Sequence, residues 1–530
     1  MARNATTHKS TSTRPPHARR TSGRTPVLTL ALALDPAEHQ PLQRQLYGAL
    51  RTAILEGRLG AGGRLPSSRQ LAGQLEISRT TVALVYDQLR AEGYLEGRER
   101  SGTFVAPALP EELLYARATA VPSRKTPLSS LGDLSARGTL LASLSVTSSP
   151  LYGGNGARAF RLGTPALDQF PFALWGRLLG RRWRRLTAAQ LSYAEPNGYA
   201  PLRSAIAEYA RQARAVSCDA SQVIVVSGAQ QAFDIVARVL LDPGDAACVE
   251  NPGYRGVQAA LVAAGATIVP LSVDADGLDV TSLRARTPAP RLACVTPAHQ
   301  FPLGVTLSAP RRLALLEWAR AHSAWIVEDD FDSEYRFRGR PLPSLQGMDE
   351  HDRVIYVGTF SKTLFPALRL GYLIVPARLV DTFARARAVI DRHPSALEQA
   401  VLADFIVEGH FARHVRRMRA LYAERQDILL GLVAQRLGEW IEASRVDAGM
   451  HLVGWLRTRM DDQRVSKRAL ALGVVASALS ALSVGSLARG ALLLGFAGYT
   501  RVDMRVAADQ LSVALHEEHA RLFARRGPRR

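Results

Sequence analysis

The chain has 530 residues, 47% of them apolar and 22% charged, which is too long for one ordinary domain and typical of soluble globular protein. No run of about 18 apolar residues appears, so no membrane span is expected. The Ser-, Thr- and Arg-rich start lacks the apolar core of a signal peptide. Cys218, Cys248 and Cys294 form no CxxC pair; no disulfide framework and no metal site are expected, and this usage fits a reducing cytoplasm.

The formal net charge of +20 is concentrated at the ends. Residues 1–36 read as a disordered basic arm carrying Arg3, Lys9, Arg14, Arg19, Arg20 and Arg24, with no acid before Pro26. The C-terminal end adds Arg521, Arg525, Arg526, Arg529 and Arg530. Basic ends suit a polyanion such as DNA; a solvated arm in an arginine-rich chain explains them equally well. Lysine is scarce: Lys9, Lys125, Lys362 and Lys467 are all there are. Where arginine is the default cation, a retained lysine invites a chemical reason, because an amine can lose its proton and attack a carbonyl.

Residues 37–106 form the first unit. Leu42, Leu46, Leu50 and Ile54 share a helical face that Gly57 can end. Ser67 and Gln70 have capping-box spacing at the start of a short helix. Ser78 caps a third helix that buries Val82, Val85 and Leu89 and stops near Gly93. Tyr94-Leu95 and Thr103-Phe104-Val105 flank Ser101-Gly102 as a hairpin-like wing. Arg69, Ser78, Arg79, Thr80 and Thr81 lie at helix N-termini, where hydroxyls, guanidinium groups and free N–H groups can meet phosphates and base edges. Residues 107–157, rich in Pro, Ser, Ala and Gly, read as a linker.

Residues 41–106, with Leu65-Pro66-Ser67-Ser68-Arg69-Gln70-Leu71-Ala72, Ser78-Arg79-Thr80-Thr81-Val82 and Ser101-Gly102-Thr103-Phe104-Val105, resemble the GntR-type winged helix. The resemblance implies contacts of Arg69, Arg79, Thr80, Thr81 and the wing residue Gly102 with double-stranded operator DNA. Ala83 stands where some members carry a further arginine, which implies a different operator.

Residues 158–525 alternate short apolar runs with amphipathic segments, the signature of an α/β domain. Each run ends in a polar cluster. Val223–Val226 is followed by Ser227-Gly228-Ala229, and Ala246–Val249 by Glu250-Asn251-Pro252-Gly253-Tyr254. Leu292–Val295 is followed by Thr296 to Pro302, Trp325–Val327 by Glu328-Asp329-Asp330, and Val354–Val357 by Gly358 to Lys362. Ligands of open α/β sheets bind along the carboxyl edge. A small-residue turn into a helix offers N–H groups to a phosphate, to which Ser361 and Arg369 add a hydroxyl and a guanidinium. Tyr254 offers a flat face, Asp329 a carboxylate for a protonated ring nitrogen, and Lys362 an amine. Phosphate, aromatic ring, basic nitrogen and aldehyde together describe pyridoxal 5′-phosphate.

This region is similar to fold-type I aminotransferases, and most of all to the aminotransferase-like half of MocR-type regulators, a GntR subfamily. Tyr193 to Arg203, Thr296 to Gly304, Glu328 to Phe337 and Gly358 to Pro376 carry the likeness. It implies a winged helix-turn-helix followed by a PLP-binding domain with a central, mostly parallel sheet, and a homodimer. It implies a Schiff base on Lys362, Asp329 on the pyridinium nitrogen and Tyr254 stacked on the ring. Ser227, Gly228, Ala229, Ser361 and Arg369 would hold the phosphate, with Tyr193 reaching a neighbouring subunit's phosphate. Phe331 replaces a usual tyrosine. Phe301 stands where aminotransferases have an asparagine for the ring oxygen, leaving His299 or Gln300 as substitutes. The arginine that grips a substrate carboxylate has no match within Leu492–Phe496; Arg489 and Arg501 are nearby candidates. The function expected is a transcriptional regulator sensing an amine, an amino acid or the vitamer. The alternative is a working aminotransferase with an accessory DNA-binding domain.

Overall fold

The computed structural model describes residues 34–35, 40–98, 101–109, 134–144, 159–339 and 342–524. They fall into two compact units, Met1–Ser130 and Leu131–Arg530. The expected basic arm, apart from Leu34 and Asp35, and the basic run from Arg525 onward lie outside the described residues. Arg521 is not part of a free cationic tail: it pairs with Glu518 at 2.9 Å.

The first unit runs α1 (Leu42–Leu55), α2 (Ser68–Leu75), α3 (Arg79–Ala91), β1 (Leu95–Arg98) and β2 (Gly102–Val105). The 3.6-residue period places Leu46, Leu50, Ala53 and Ile54 of α1 against Val82, Val85 and Leu89 of α3, with Leu65, Leu71 and Tyr94 completing the core. Both predicted caps form. Gln70 N–H donates to Ser67 Oγ at 3.3 Å, and Ser67 N–H donates to Gln70 Oε1 at 3.0 Å. Thr81 N–H donates to Ser78 Oγ at 3.0 Å. The turn from α2 into α3 puts Glu76 at φ 54°. A buried bond from the Tyr86 hydroxyl to the Pro66 carbonyl, 2.9 Å, ties α3 to the loop that precedes α2. The wing pairs Arg98 with Gly102 and Leu95 with Val105 in antiparallel register.

The segment read as a linker contains a helix, Ala136–Ser143, capped by Ser135 Oγ accepting from Gly138 N–H at 3.0 Å. None of its residues is buried. A helix without an apolar face leaves no periodicity to read.

The second unit is built on an eight-stranded sheet. Its strands are β3 (Val223–Val226), β4 (Ala246–Asn251), β5 (Thr267–Asp274), β6 (Gly277–Leu278), β7 (Leu292–Val295), β8 (Trp325–Asp330), β9 (Val354–Thr359) and β10 (Gly371–Ile374). The spatial order is β3-β10-β9-β8-β7-β4-β5-β6. β5, β4, β7, β8 and β9 pair in parallel, and β10 is antiparallel to both β9 and β3. β3 therefore runs in the direction of β9, and the carboxyl ends of six strands lie along one edge. Alternation buries both faces. Ile224, Val226, Val249, Val327 and Val357 pack against the helices Ala229–Leu240 and Arg255–Ala263. Val223, Val225 and Tyr356 pack on the opposite face with Leu202 and Ile206.

A smaller antiparallel sheet follows, with β11 (Ile441–Glu442), β12 (His451–Leu456), β13 (Ser477–Ala478) and β14 (Ala491–Gly495) in the order β11-β12-β14-β13. Leu452, Leu492 and Leu494 point into a core with the helices His410–Leu432 and Arg501–Ala524. Val453 and Leu493 point the other way, onto Leu162, Leu479 and Leu482. Among the described residues no helix is long and apolar enough to cross a membrane, and all three cysteines are free.

Candidate cofactor site and nucleic-acid interface

Lys362 lies just beyond β9. Its Nζ donates to the Gly163 carbonyl at 3.2 Å. Gly163 has φ +61°, and a Cβ there would stand 2.5 Å from Nζ. Burial lowers the amine below the ordinary lysine value; Asp332 and Asp329 pull it back up, and Arg369 opposes them. An amine with a depressed pKa is suited to carbonyl attack.

Asp329, near the end of β8, shares its face with Val327 and Trp325. Burial, then Asp330, Glu250 and Asp332, push its carboxyl up to about 8, with Lys362 acting in the opposite sense. Its Oδ1 is buried and has no hydrogen-bond partner. A carboxylate so placed calls for a cationic donor. Asp330 points to the other face, where it accepts from Arg214 Nε at 2.6 Å and from the Tyr356 hydroxyl. Strand alternation thus decides which of two adjacent acids is free.

At the end of β3, Gly228 adopts φ +94° and a Cβ on it would stand 3.2 Å from an Arg369 nitrogen. Arg369 donates to the Ser227 carbonyl at 2.8 Å. The helix Ala229–Leu240 starts here without a side-chain cap, and Ser361 is buried. A helix N-terminus with a guanidinium against a glycine backbone is the chemistry of an anion cradle. Tyr254 lies edge-on to Phe301, ring centroids 6.0 Å apart. Gly256 makes room for it, since a Cβ there would stand 2.4 Å from the tyrosine ring. Donor set, cradle and orphaned carboxylate fit pyridoxal 5′-phosphate.

The loop after β7 separates the two proposed asparagine substitutes. Gln300 Nε2 donates to Glu250 at 3.1 Å and to the Pro252 carbonyl at 3.0 Å, while its Oε1 accepts from Leu303 N–H at 3.0 Å. Its amide is thus hydrogen-bonded both within this loop and to the end of β4. His299 Nδ1 lies 2.9 Å from Asp332 Oδ1, and its buried Nε2 has no partner. Tyr193 is 81% exposed and its ring packs under Arg392, 5.5 Å from the guanidinium.

On the first unit, Arg69, Arg79 and Thr80 are exposed at the starts of α2 and α3, and among the described residues neither guanidinium is paired. The Thr81 hydroxyl is shared with Ser78 Oγ at 2.8 Å, within the cap. Gly102 takes φ +111° at the wing, with Arg64 against it. Leu84, one turn beyond Thr80, is 50% exposed. Sequence reasoning passed it over because an apolar residue in an amphipathic helix reads as core.

The same two units appear in comparisons with known proteins. Residues 42–105 match the family of bacterial regulatory proteins of the gntR type, and residues 184–511 match aminotransferase class I and II. Over 485 residues the chain is 46% identical to the probable rhizopine catabolism regulatory protein MocR of Rhizobium meliloti, covering 91% of this chain and 95% of that one. The chain belongs to the MocR-type GntR regulators. This MocR-type chain is also 31% identical to the pyridoxine biosynthesis transcriptional regulator PdxR of Corynebacterium glutamicum, over 92% of this chain and 98% of that one. Among solved structures, its fold matches the α-aminoadipate aminotransferase LysN of Thermus thermophilus, complexed with N-(5′-phosphopyridoxyl)-L-leucine. There the TM-score is 0.63 at 27% identity, over 68% of this chain and 92% of that one. The helix-turn-helix of a MocR-type protein is of the DNA-binding GntR class.

The two arginines that flank β14 are placed differently. Arg489 donates to the Leu456 carbonyl and to Glu442, both at 2.9 Å, at the edge of the smaller sheet. Arg501 is exposed at the start of the last helix. Gly163, Glu250 and Asp332 were missed in the sequence. Asp332 and Glu250 lie inside strings already singled out, but nothing local distinguishes them; Gly163 is far from every such string.

Proposed function

We propose that this protein is a transcriptional regulator that binds operator DNA through α3 and the wing, carries pyridoxal 5′-phosphate on Lys362, and uses that site to sense an amine, an amino acid or the vitamer. The single observation that carries the reading is the buried, unpartnered Oδ1 of Asp329 beside an amine of lowered pKa. When bound, the cofactor supplies an electrophilic carbon that takes up primary amines. Asp329 holds the ring nitrogen's proton, Tyr254 covers the ring, and Ser227, Gly228, Ala229, Ser361 and Arg369 bind the phosphate. The exposed Tyr193 of a second copy completes the cradle in a homodimer. The protein works in the cytoplasm, where its three thiols stay reduced. Regulation needs binding that favours one conformation and does not need turnover.

Purified protein is expected to absorb at about 410–430 nm, a general property of the cofactor, and to become covalently labelled on borohydride reduction. Lys362→Ala loses that label; persistence of the label in the variant rejects the assignment. Turnover of an amino acid and keto acid pair at about 10 per second would favour the aminotransferase reading instead.

A further inference from the structure

A cavity of about 310 Å³ opens beside Arg214, the residue that holds Asp330. It is framed by the end of the helix Ala200–Arg214, the turn Ser333–Tyr335 after β8, and the first turns of the helix His410–Leu432. None of the residues assigned to the cofactor is in its wall. The volume is at the lower end for small-ligand clefts, about 300–1,000 Å³. Tyr209, Ala213 and Ala412 give it an apolar side, and the Tyr209 ring is fixed edge-on to Phe411 with centroids 5.1 Å apart.

The polar side lacks partners of both kinds. The helix His410–Leu432 begins with four arginines. Arg413 donates to the Glu408 carbonyl at 3.3 Å, Arg417 to the Gln169 carbonyl, and Arg419 Nε to the Glu334 carbonyl at 2.9 Å. Arg416 alone of the four is unpaired among the described residues, and it stands exposed in the cavity wall. Arg336, also in the wall, spends one nitrogen on the Ala298 carbonyl at 3.2 Å. Glu334 Oε1 accepts from the Tyr209 hydroxyl at 2.8 Å, but its Oε2 is buried without a partner, as is the Ser333 hydroxyl beside it. Arg419 touches Glu334, and Arg416 lies three residues earlier on the same helical face, so an acceptor and a free cation share one wall. A bare anion would leave Glu334 short of a donor, and a bare amine would meet guanidinium groups. A molecule with an ammonium and a carboxylate on one carbon satisfies both.

We propose that this cavity is a second ligand site, separate from Lys362, for an α-amino acid with a short apolar side chain. Arg416 holds the carboxylate, Glu334 the ammonium, and the side chain lies on Tyr209, Ala213 and Ala412. The segment that carries Glu334 also reaches the cofactor region: Asp332 pairs with His299 at 2.9 Å, and the Tyr335 hydroxyl donates to the Lys362 carbonyl at 3.2 Å. The proposal does not depend on the cofactor.

The test uses full-length holoprotein reduced with borohydride, which fixes the cofactor to Lys362 and stops exchange with added amines. Calorimetric titrations compare leucine with 4-methylpentanoate, which lacks the amine, and 3-methylbutylamine, which lacks the carboxylate. Leucine is expected to bind about tenfold or more tightly than either, the lower end for a hydrogen bond to a charged group. Arg416→Ala is expected to weaken leucine by about tenfold without changing the melting temperature, since the side chain is exposed and unpaired. Glu334→Gln should weaken leucine and leave 4-methylpentanoate unchanged. No heat with leucine, leucine no tighter than an analogue, or leucine binding untouched by Arg416→Ala would each overturn the proposal, whether or not Glu334→Gln folds. If borohydride labels nothing, the cofactor reading fails and the same titrations on the untreated chain still decide this one.

Discussion

Lys362 Nζ and the Gly163 carbonyl oxygen are 3.2 Å apart. The contact depends on residue 163 having no side chain, since a Cβ would stand 2.5 Å from the amine at a backbone φ of +61°. Gly163→Ala is therefore expected to cost about 1–2 kcal/mol from the left-handed conformation alone and to swing the lysine away from its seat. Cofactor loading, read by absorbance of the reconstituted protein, should fall while far-ultraviolet dichroism stays native. Full loading with an unchanged melting temperature would show that the approach of the two residues is not needed.

The Asp329 carboxyl is raised in the folded protein to about 8, chiefly by burial. The folded state then keeps a proton that the unfolded chain releases above the lower, ordinary aspartate value. Stability contributed by that proton is complete at acid pH and is lost as pH rises toward 8. Cofactor-free Asp329→Asn is thus expected to melt higher than cofactor-free wild type at pH 8, with the two curves converging only as pH falls to about 4, the ordinary aspartate value. Added pyridoxal phosphate should stabilise wild type more than the variant, because only the carboxylate can pair with a cationic ring nitrogen. A melting difference equal at both pH values would place the raised carboxyl elsewhere.

Arg79 opens α3, exposed and unpaired among the described residues. If it reads a base, Arg79→Ala should cost about 1–3 kcal/mol of operator binding and relax specificity at one position. If it meets only phosphate, affinity should fall on all sequences and the salt slope should shrink by about one. Leu84, half exposed on the same helix, offers an apolar contact to a thymine methyl if α3 enters the major groove. Leu84→Ala should weaken binding at one base pair and leave the salt slope unchanged. Electrophoretic titrations over a range of salt concentrations separate these outcomes.

The Tyr86 hydroxyl donates to the Pro66 carbonyl in the core of the winged helix, 2.9 Å away. Tyr86→Phe leaves that carbonyl unpaired and should destabilise the first unit by about 1–2 kcal/mol, measured by denaturant unfolding. Operator affinity should drop with it, since the bond ties α3 to the loop before α2. No change in either would mean water replaces the hydroxyl without loss.

Much of this protein was legible in the chain itself. Caps such as Ser67 with Gln70 and Ser78 with Thr81 form between residues three apart, so local spacing suffices to see them. The strand-end clusters could be ordered because each apolar run announces its own end, and Lys362 stood out because arginine is the usual cation elsewhere. What tertiary structure alone decided depends on contacts between elements. Asp329 and Asp330 look alike in sequence; Arg214, 116 residues from Asp330, takes one of them and leaves the other. Gln300 is consumed by Glu250, 50 residues away, and Gly163 meets a lysine 199 residues distant. Leu493 belongs to the face toward Lys362 and Leu492 to the opposite core only because β14 is paired with β12 in one register. Alternation is encoded locally, but which face of a strand meets which neighbour is settled by packing across the fold.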